Sequence, residues 1–274
     1  MRNKRIHPRK AGVSLDAARV LDWLGGDEGR TAMLNAISLS ITSSETFFLE
    51  VLRETRPRIS DEVLASQIDA FLVQEGAHRK EHTAYNELLK KAGVNIEAYE
   101  GVRQERLALV RRWPLDVQLG IVAAAEFYTD IVAEAALEDE GFLEGADPEY
   151  RRVWEWHALE EVEHNSVSFD TLRYVNPSYW LRAKTFLMFT RSYVKTYYRG
   201  VIAASVKVRR EHPWRLIRAA WSWFGPFGHI TRRLPRYFSY LLPRFHPSSR
   251  RHASLIARYQ EKNAFEIMER YVSR

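Results

Sequence analysis

The 274-residue chain contains no cysteine. That absence excludes a disulfide framework and any thiolate metal site, so a bound metal would have to rely on oxygen and nitrogen ligands. No run of about 18 uninterrupted apolar residues occurs, and no membrane-spanning helix is expected. The first ten residues are basic and polar, without the apolar stretch of a signal peptide. A cytoplasmic location is therefore the default expectation. Strand-like alternation and internal repeats are also missing, and the expected fold class is all-α.

Acidic residues become scarce in the last part of the chain. Residues 171–274 hold 21 Lys and Arg against 4 Asp and Glu, whereas residues 1–170 hold 20 against 31. The net charge of +6 thus conceals halves of −11 and +17. Four of the eight tryptophans, Trp180, Trp214, Trp221 and Trp223, lie in the basic part. Such asymmetry points to a polyanionic surface, anionic lipid before nucleic acid.

What is abundant is helical patterning. After an irregular lead-in over 1–28, an apolar row Leu34, Ile37, Ile41, Phe48 and Leu52 predicts a helix from about Thr31 to Arg56, stopped by Pro57. The one gap in that row is filled by Glu45. A second helix is expected from Ser60-Asp61-Glu62 to Gly93, with inward row Ile68, Phe71, Glu75, His78, His82, Tyr85 and Leu89. A shorter helix over 95–112 leads to Pro114 and a fourth helix, which carries Glu126 in Ala123-Ala-Ala-Glu126-Phe127. Asp147 as N-cap and Pro148 at the first helical position predict a further helix running to about Tyr174. On it Val153, His157, Glu161, His164 and Ser168 share a face. A long basic-aromatic helix is expected over 179–210, then Pro/Gly-punctuated chain, then a last helix over 248–271.

The chemistry lies in two Glu-x-x-His pairs, Glu75/His78 and Glu161/His164. On a helix each pair shares one face, one turn apart. Two such pairs, with one lone Glu from each of two more helices, form the dinuclear carboxylate site of ferritin-like bundles. Glu45 and Glu126 are the lone acids, and the chain order suits four successive helices. Burying carboxylates without compensation costs several kcal/mol each, as an order of magnitude. No Lys or Arg sits on these stripes, whereas two divalent cations would balance four carboxylates. The bland alternative is surface acids on helices whose phase is misjudged. His157 extends the last pair to His-x-x-x-Glu-x-x-His and is either a third imidazole ligand or an aromatic-packed residue. His82 is read as an outer partner or an extra ligand. Asp130, Glu160 and Asp170 are read as carboxylates that orient a ligand histidine. The donor set suits iron or manganese, with zinc an option for a hydrolase.

The blocks around Glu45-Thr-Phe-Phe, Gln74-Glu75-Gly-Ala-His78-Arg-Lys-Glu-His82, Ala124-Ala-Glu126-Phe, Trp156-His157-Ala-Leu-Glu-Glu161-Val-Glu-His164 and Phe245-His246-Pro247 resemble a bacterial family described as predicted metal-dependent hydrolases. The likeness runs from about residue 8 to residue 260. The ligand order also resembles the di-iron N-oxygenases that convert aryl amines to nitro compounds. That resemblance implies metal ligands Glu45, Glu75, His78, Glu126, His157, Glu161 and His164. His82 and the basic tail have no counterpart in the N-oxygenase pattern.

The expected architecture is therefore a ferritin-like four-helix bundle over 29–175 with a basic, aromatic helical extension over 176–274 packed on it. The leading functional expectation is a di-iron oxidase or oxygenase that uses two iron ions, O2 and an external electron donor on a small organic, lipid-like substrate. A metal-dependent hydrolase is the alternative, and a non-enzymatic ferritin-like metal binder the second. Lys184, Arg191, Lys195 and Arg199 gather on one stripe and are the candidates for contact with anionic membrane at its inner face; a homodimer is a further expectation.

Overall fold

A computed structural model describes residues 5–248 and 250–273, and these form an all-α protein without a β-sheet among the described residues. The first four residues of the expected lead-in lie outside them. The helices are α1 (Glu28–Thr55), α2 (Glu62–Lys91), α3 (Ile96–Val110), α4 (Leu115–Glu138), α5 (Pro148–His164), α6 (Val167–Val175), α7 (Tyr179–Ala204), α8 (Val206–Glu211), α9 (Pro213–Phe224), α10 (Leu234–Ser239) and α11 (Arg250–Asn263).

Caps set the helix starts. Asp27 accepts from the amides of Gly29 and Arg30, Asp61 from Val63 and Leu64, Asn95 from Ala98, and Asp147 from Glu149 and Tyr150. Each carboxylate or amide satisfies donors the first turn leaves unpaired. The rows read from sequence are buried as expected, Leu34 to Leu52 on α1 and Ile68 to Leu89 on α2.

α1 packs on α2, and α4 on α5; contacts of α1 with α4 and of α2 with α5 close the bundle. α7 lies across α1 and α4, α9 against α1, and α11 against α5. The α4–α7 crossing is close because Gly120 has no side chain: a Cβ there would come 2.6 Å from Thr185 Oγ1.

Three expectations are corrected. The helix launched by Asp147-Pro148 does not run to Tyr174 but stops at His164 and restarts as α6. At the break, Asn165 Nδ2 meets Asp130 Oδ2 at 3.1 Å and His252 Nδ1 at 2.8 Å, tertiary partners that a local pattern does not announce. The basic-aromatic helix ends at Ala204 rather than Arg210. The last helix ends at Asn263, where Ala264 adopts a left-handed φ of 46° and turns the chain back.

The returning tail pairs with the beginning of the chain. Lys10 N donates to Glu266 O, Met268 N to Pro8 O, and Ser273 N to Ile6 O. One edge of residues 6–10 is used in this way. The other edge turns to α5: the amides of His7 and Arg9 donate to Glu163 Oε2 (2.7 Å) and Glu160 Oε1 (2.6 Å).

Candidate metal centre

Seven ionisable side chains converge inside the bundle: Glu45 from α1, Glu75 and His78 from α2, Glu126 from α4, and His157, Glu161 and His164 from α5. All seven are buried. They form two groups, Glu45/His78/His157/Glu161 and Glu75/Glu126/His164, in each of which one atom per residue lies within 4.8 Å of the others.

Two carboxylates reach across both groups. Glu75 Oε1 lies 3.5 Å from His78 Nδ1 and 3.3 Å from His164 Nε2. Glu161 places Oε1 3.1 Å from His157 Nε2 and Oε2 3.5 Å from His164 Nε2. Glu45 Oε1 stands 3.7 Å from His78 Nδ1, and Glu126 Oε2 3.1 Å from His164 Nε2. The Thr129 hydroxyl donates to Glu161 Oε2 and fixes that carboxylate from the side.

Seven atoms here are buried without a hydrogen-bond partner: Glu45 Oε2, both oxygens of Glu75, both of Glu126, His78 Nδ1 and His164 Nε2. Each such atom costs about 1–3 kcal/mol, more when charged. Four of them, His78 Nδ1, Glu75 Oε1, His164 Nε2 and Glu126 Oε2, follow one another at 3.1–3.5 Å. Carboxylate oxygens and imidazole nitrogens in two adjoining groups are a donor set that would fit divalent cations.

The outward nitrogen of every imidazole is engaged, which selects the inward one. His78 Nε2 faces Glu160 Oε2 at 2.9 Å. His164 Nδ1 faces Gln74 Oε1 at 3.0 Å, and Gln74 Nε2 donates to Glu163 Oε2. His157 Nδ1 meets His82 Nε2 at 3.1 Å, and His82 Nδ1 meets Ser38 Oγ at 2.9 Å. Ser38 spends its only proton on Asn86 Oδ1. The remaining hydrogens then follow by elimination. Ser38 accepts from His82 Nδ1–H, bare His82 Nε2 accepts from His157 Nδ1–H, and His157 Nε2 is left as a lone pair facing Glu45 and Glu161. His82 is thus one layer out from the cluster, holding His157.

The clustered acids and imidazoles shift one another's protonation. Burial raises Glu45 and Glu126, and repulsion from neighbouring carboxylates raises both further, Glu126 to about 8. Burial would lower His78, yet the hydrogen bond with Glu160 and the nearby Glu75 carboxylate lift it to about 9. His164 is likewise raised against burial by Glu161 and Glu126, while Glu161, which burial alone would raise, is driven well below its usual range by His164. Burial and neighbouring histidines keep His82 and His157 neutral.

Three supporting residues escaped the sequence reading. Arg9, 1% exposed, donates Nη1 and Nη2 to the two oxygens of Glu163, both at 2.9 Å, and lies 3.7 Å from Glu160. Gln74 and Glu163 complete the link from Arg9 to His164. The only hint was crowding: Glu160, Glu161 and Glu163 occupy one turn, so at least one must face away from the cluster yet inward.

Other assignments move. Asp130 orients no ligand histidine; with Glu134 and His252 it forms a third acid–imidazole group, but Arg236 ion-pairs with both acids and supplies the positive charge there. Asp170 partners His246 at 3.0 Å. Lys184, Arg191, Lys195 and Arg199 are far from any of these pairs in kind: all four are exposed on α7.

A cavity of about 60 Å³ opens on Glu45, His157 and Glu161, walled largely by apolar atoms from Ile41, Phe48, Val132 and Phe189. A second chamber of about 130 Å³ shares Ser44, Phe48, Ala125, Phe189 and Tyr193 with it and leads past Arg103 and Arg106.

Neither a curated protein nor a solved structure matches the chain. A family model described as "predicted metal-dependent hydrolase" matches residues 7–251. That span includes every residue of the buried cluster and the Arg9 clamp behind it, and the chain belongs to this family of predicted metal-dependent hydrolases.

Proposed function

We propose that this chain is a dinuclear metal-dependent enzyme that acts on a small, mainly apolar organic substrate beside Glu45, His157 and Glu161. The observation that carries the reading is the set of seven unpartnered buried atoms converging from four helices. Glu75 and Glu161 would hold both cations, Glu45, His78 and His157 the first, and Glu126 and His164 the second. Cations there would supply Lewis acidity toward a substrate oxygen and, if redox-active, electrons for O2.

The chain's own contribution is positional. Outward hydrogen bonds to Glu160, Gln74 and His82 hold the three imidazoles with the correct nitrogen inward. The apolar wall excludes water, which strengthens every electrostatic interaction inside. Glu45, with Oε2 unpaired and lining the cavity, is placed to accept or return a proton at that atom.

Hydrolysis is the reading that the family description favours, and the apolar wall suits a neutral ester or amide. Phosphate esters fit less well, because the described residues lining the inner cavity include no Lys or Arg. A second reading, oxidation of the substrate with O2 by a di-iron centre, is favoured by the cavity itself. Its size and apolar wall suit a small gas beside the cluster.

Two metal-loaded preparations separate the readings. Protein loaded with Fe(II) without air is mixed with O2 and followed by visible absorption, and protein loaded with zinc or manganese is assayed on neutral aryl esters. Ester turnover that needs the metal supports hydrolysis. A transient visible band with one O2 consumed per centre supports oxidation. Neither response from fully loaded protein would overturn the enzymatic reading in favour of metal binding alone.

A further inference from the structure

We propose that the outer faces of α7 and α9 form a docking surface for an anionic lipid bilayer. On α7 the residues Trp180, Lys184, Leu187, Arg191, Val194 and Tyr198 follow one another at intervals of three and four and are all exposed. Such spacing makes one continuous stripe along the helix. Apolar and basic side chains alternate on it, and Lys195 and Arg199 flank it.

α9 presents a second stripe, Trp214, Ile217, Trp221 and Phe224, with Phe227 just beyond. Ile217 is 71%, Trp221 68% and Phe227 88% exposed. The two helices adjoin through their inner sides, where Trp223 stacks on Tyr197 with ring centres 6.3 Å apart. Large side chains this exposed on neighbouring helices mark an interaction surface rather than scattered surface apolar residues.

Charge selects the occupant. Residues 171–274 carry a net +17, and the basic residues of the α7 stripe enter no described ion pair. Lysine and arginine at headgroup level with Trp, Leu and Ile below them is the composition of a helix lying in a membrane interface. A second copy of the chain is disfavoured, because a two-fold contact would set this basic face against itself. A nucleic acid would use the basic and aromatic residues but would leave Leu187, Val194 and Ile217 without purpose. No described helix is long and apolar enough to cross a membrane, so docking is peripheral.

The test is co-sedimentation of the full chain with vesicles of phosphatidylcholine, with and without about 30 mol% phosphatidylserine. Wild type should partition roughly ten-fold more onto the anionic vesicles, and the preference should fade in high salt. Arg191→Glu/Lys195→Glu and Ile217→Asp/Trp221→Ser should each lose most of that binding while keeping wild-type circular dichroism and thermal unfolding. No binding to either vesicle, equal binding to both, or wild-type binding by the folded variants would overturn the proposal. So would retention of single-stranded RNA by a chain that ignores vesicles.

Discussion

Glu160 Oε2 stands 2.9 Å from His78 Nε2, and this contact decides which nitrogen of His78 faces the cluster. Glu160→Gln keeps the shape but gives up the carboxylate that holds the ring and strengthens it as a donor. Metal affinity should fall about 10–100-fold with the stoichiometry at saturation unchanged. Competition against a chelator of known affinity measures it, and an unaltered affinity would remove Glu160 from the supporting layer.

Glu161 touches both groups of the cluster, so its loss should be felt twice. Glu161→Ala is expected to drop the metal content from about two per chain to one or fewer. Elemental analysis of the purified variant gives the count. Each bound cation should add about 2.7 kcal/mol of stability at 100 times its Kd, so the variant should gain correspondingly less than wild type. Two metals retained by Glu161→Ala would mean that α5 does not supply the bridging ligand.

Metal uptake should strengthen as pH rises. In the metal-free protein His78 titrates near 9 and Glu126 near 8, so both hold protons at pH 7 that a cation must displace. Affinity should climb from pH 6 and level off above about 9, with proton release on loading. Calorimetry in two buffers of different ionisation enthalpy reads the released protons directly, and a flat profile would contradict the assigned ligands.

Arg9 is a buried charge whose carboxylate partner would be stranded without it. Arg9→Met should destabilise the fold by about 3–5 kcal/mol, visible as a lower urea midpoint at unchanged slope. A loss below about 1 kcal/mol would mean that water reaches Glu163 easily.

Asp139 couples the tail to α4 through His229, Arg233 and Arg232. Burial alone would raise it, but these partners hold it below the ordinary carboxylate range. A depressed folded-state value stabilises above the unfolded value and is lost as pH falls through the folded one. The contribution should therefore be complete above about pH 5 and decline progressively below about pH 4. Asp139→Asn should flatten that part of the stability–pH curve, and an identical curve would exclude the coupling.

Local pattern carried much of the fold and the four acids of the cluster, Glu45, Glu75, Glu126 and Glu161. Glu45 was legible because it interrupts an otherwise apolar row, and the α5 start because Asp147-Pro148 satisfies two terminal amides at once. What resisted reading depends on partners distant in the chain. Asp130, four residues after Glu126, has the right phase to serve the cluster, yet Arg236 claims it from the tail. The break after His164 follows from Asn165 reaching His252. Arg9 sits in a basic stretch that looks solvated until Glu160 and Glu163 are placed opposite it.

The zipper between residues 6–10 and 266–273 puts both extremities of the described chain in mechanical series with the buried acid–imidazole cluster. Loosening the last few residues releases Ile6 and Pro8, then Arg9, then the two glutamates that steady His78 and His164. Fusions or truncations near residue 273 should therefore be sensed as weaker cation retention more than 100 residues upstream in sequence, although nothing near the cluster has been altered.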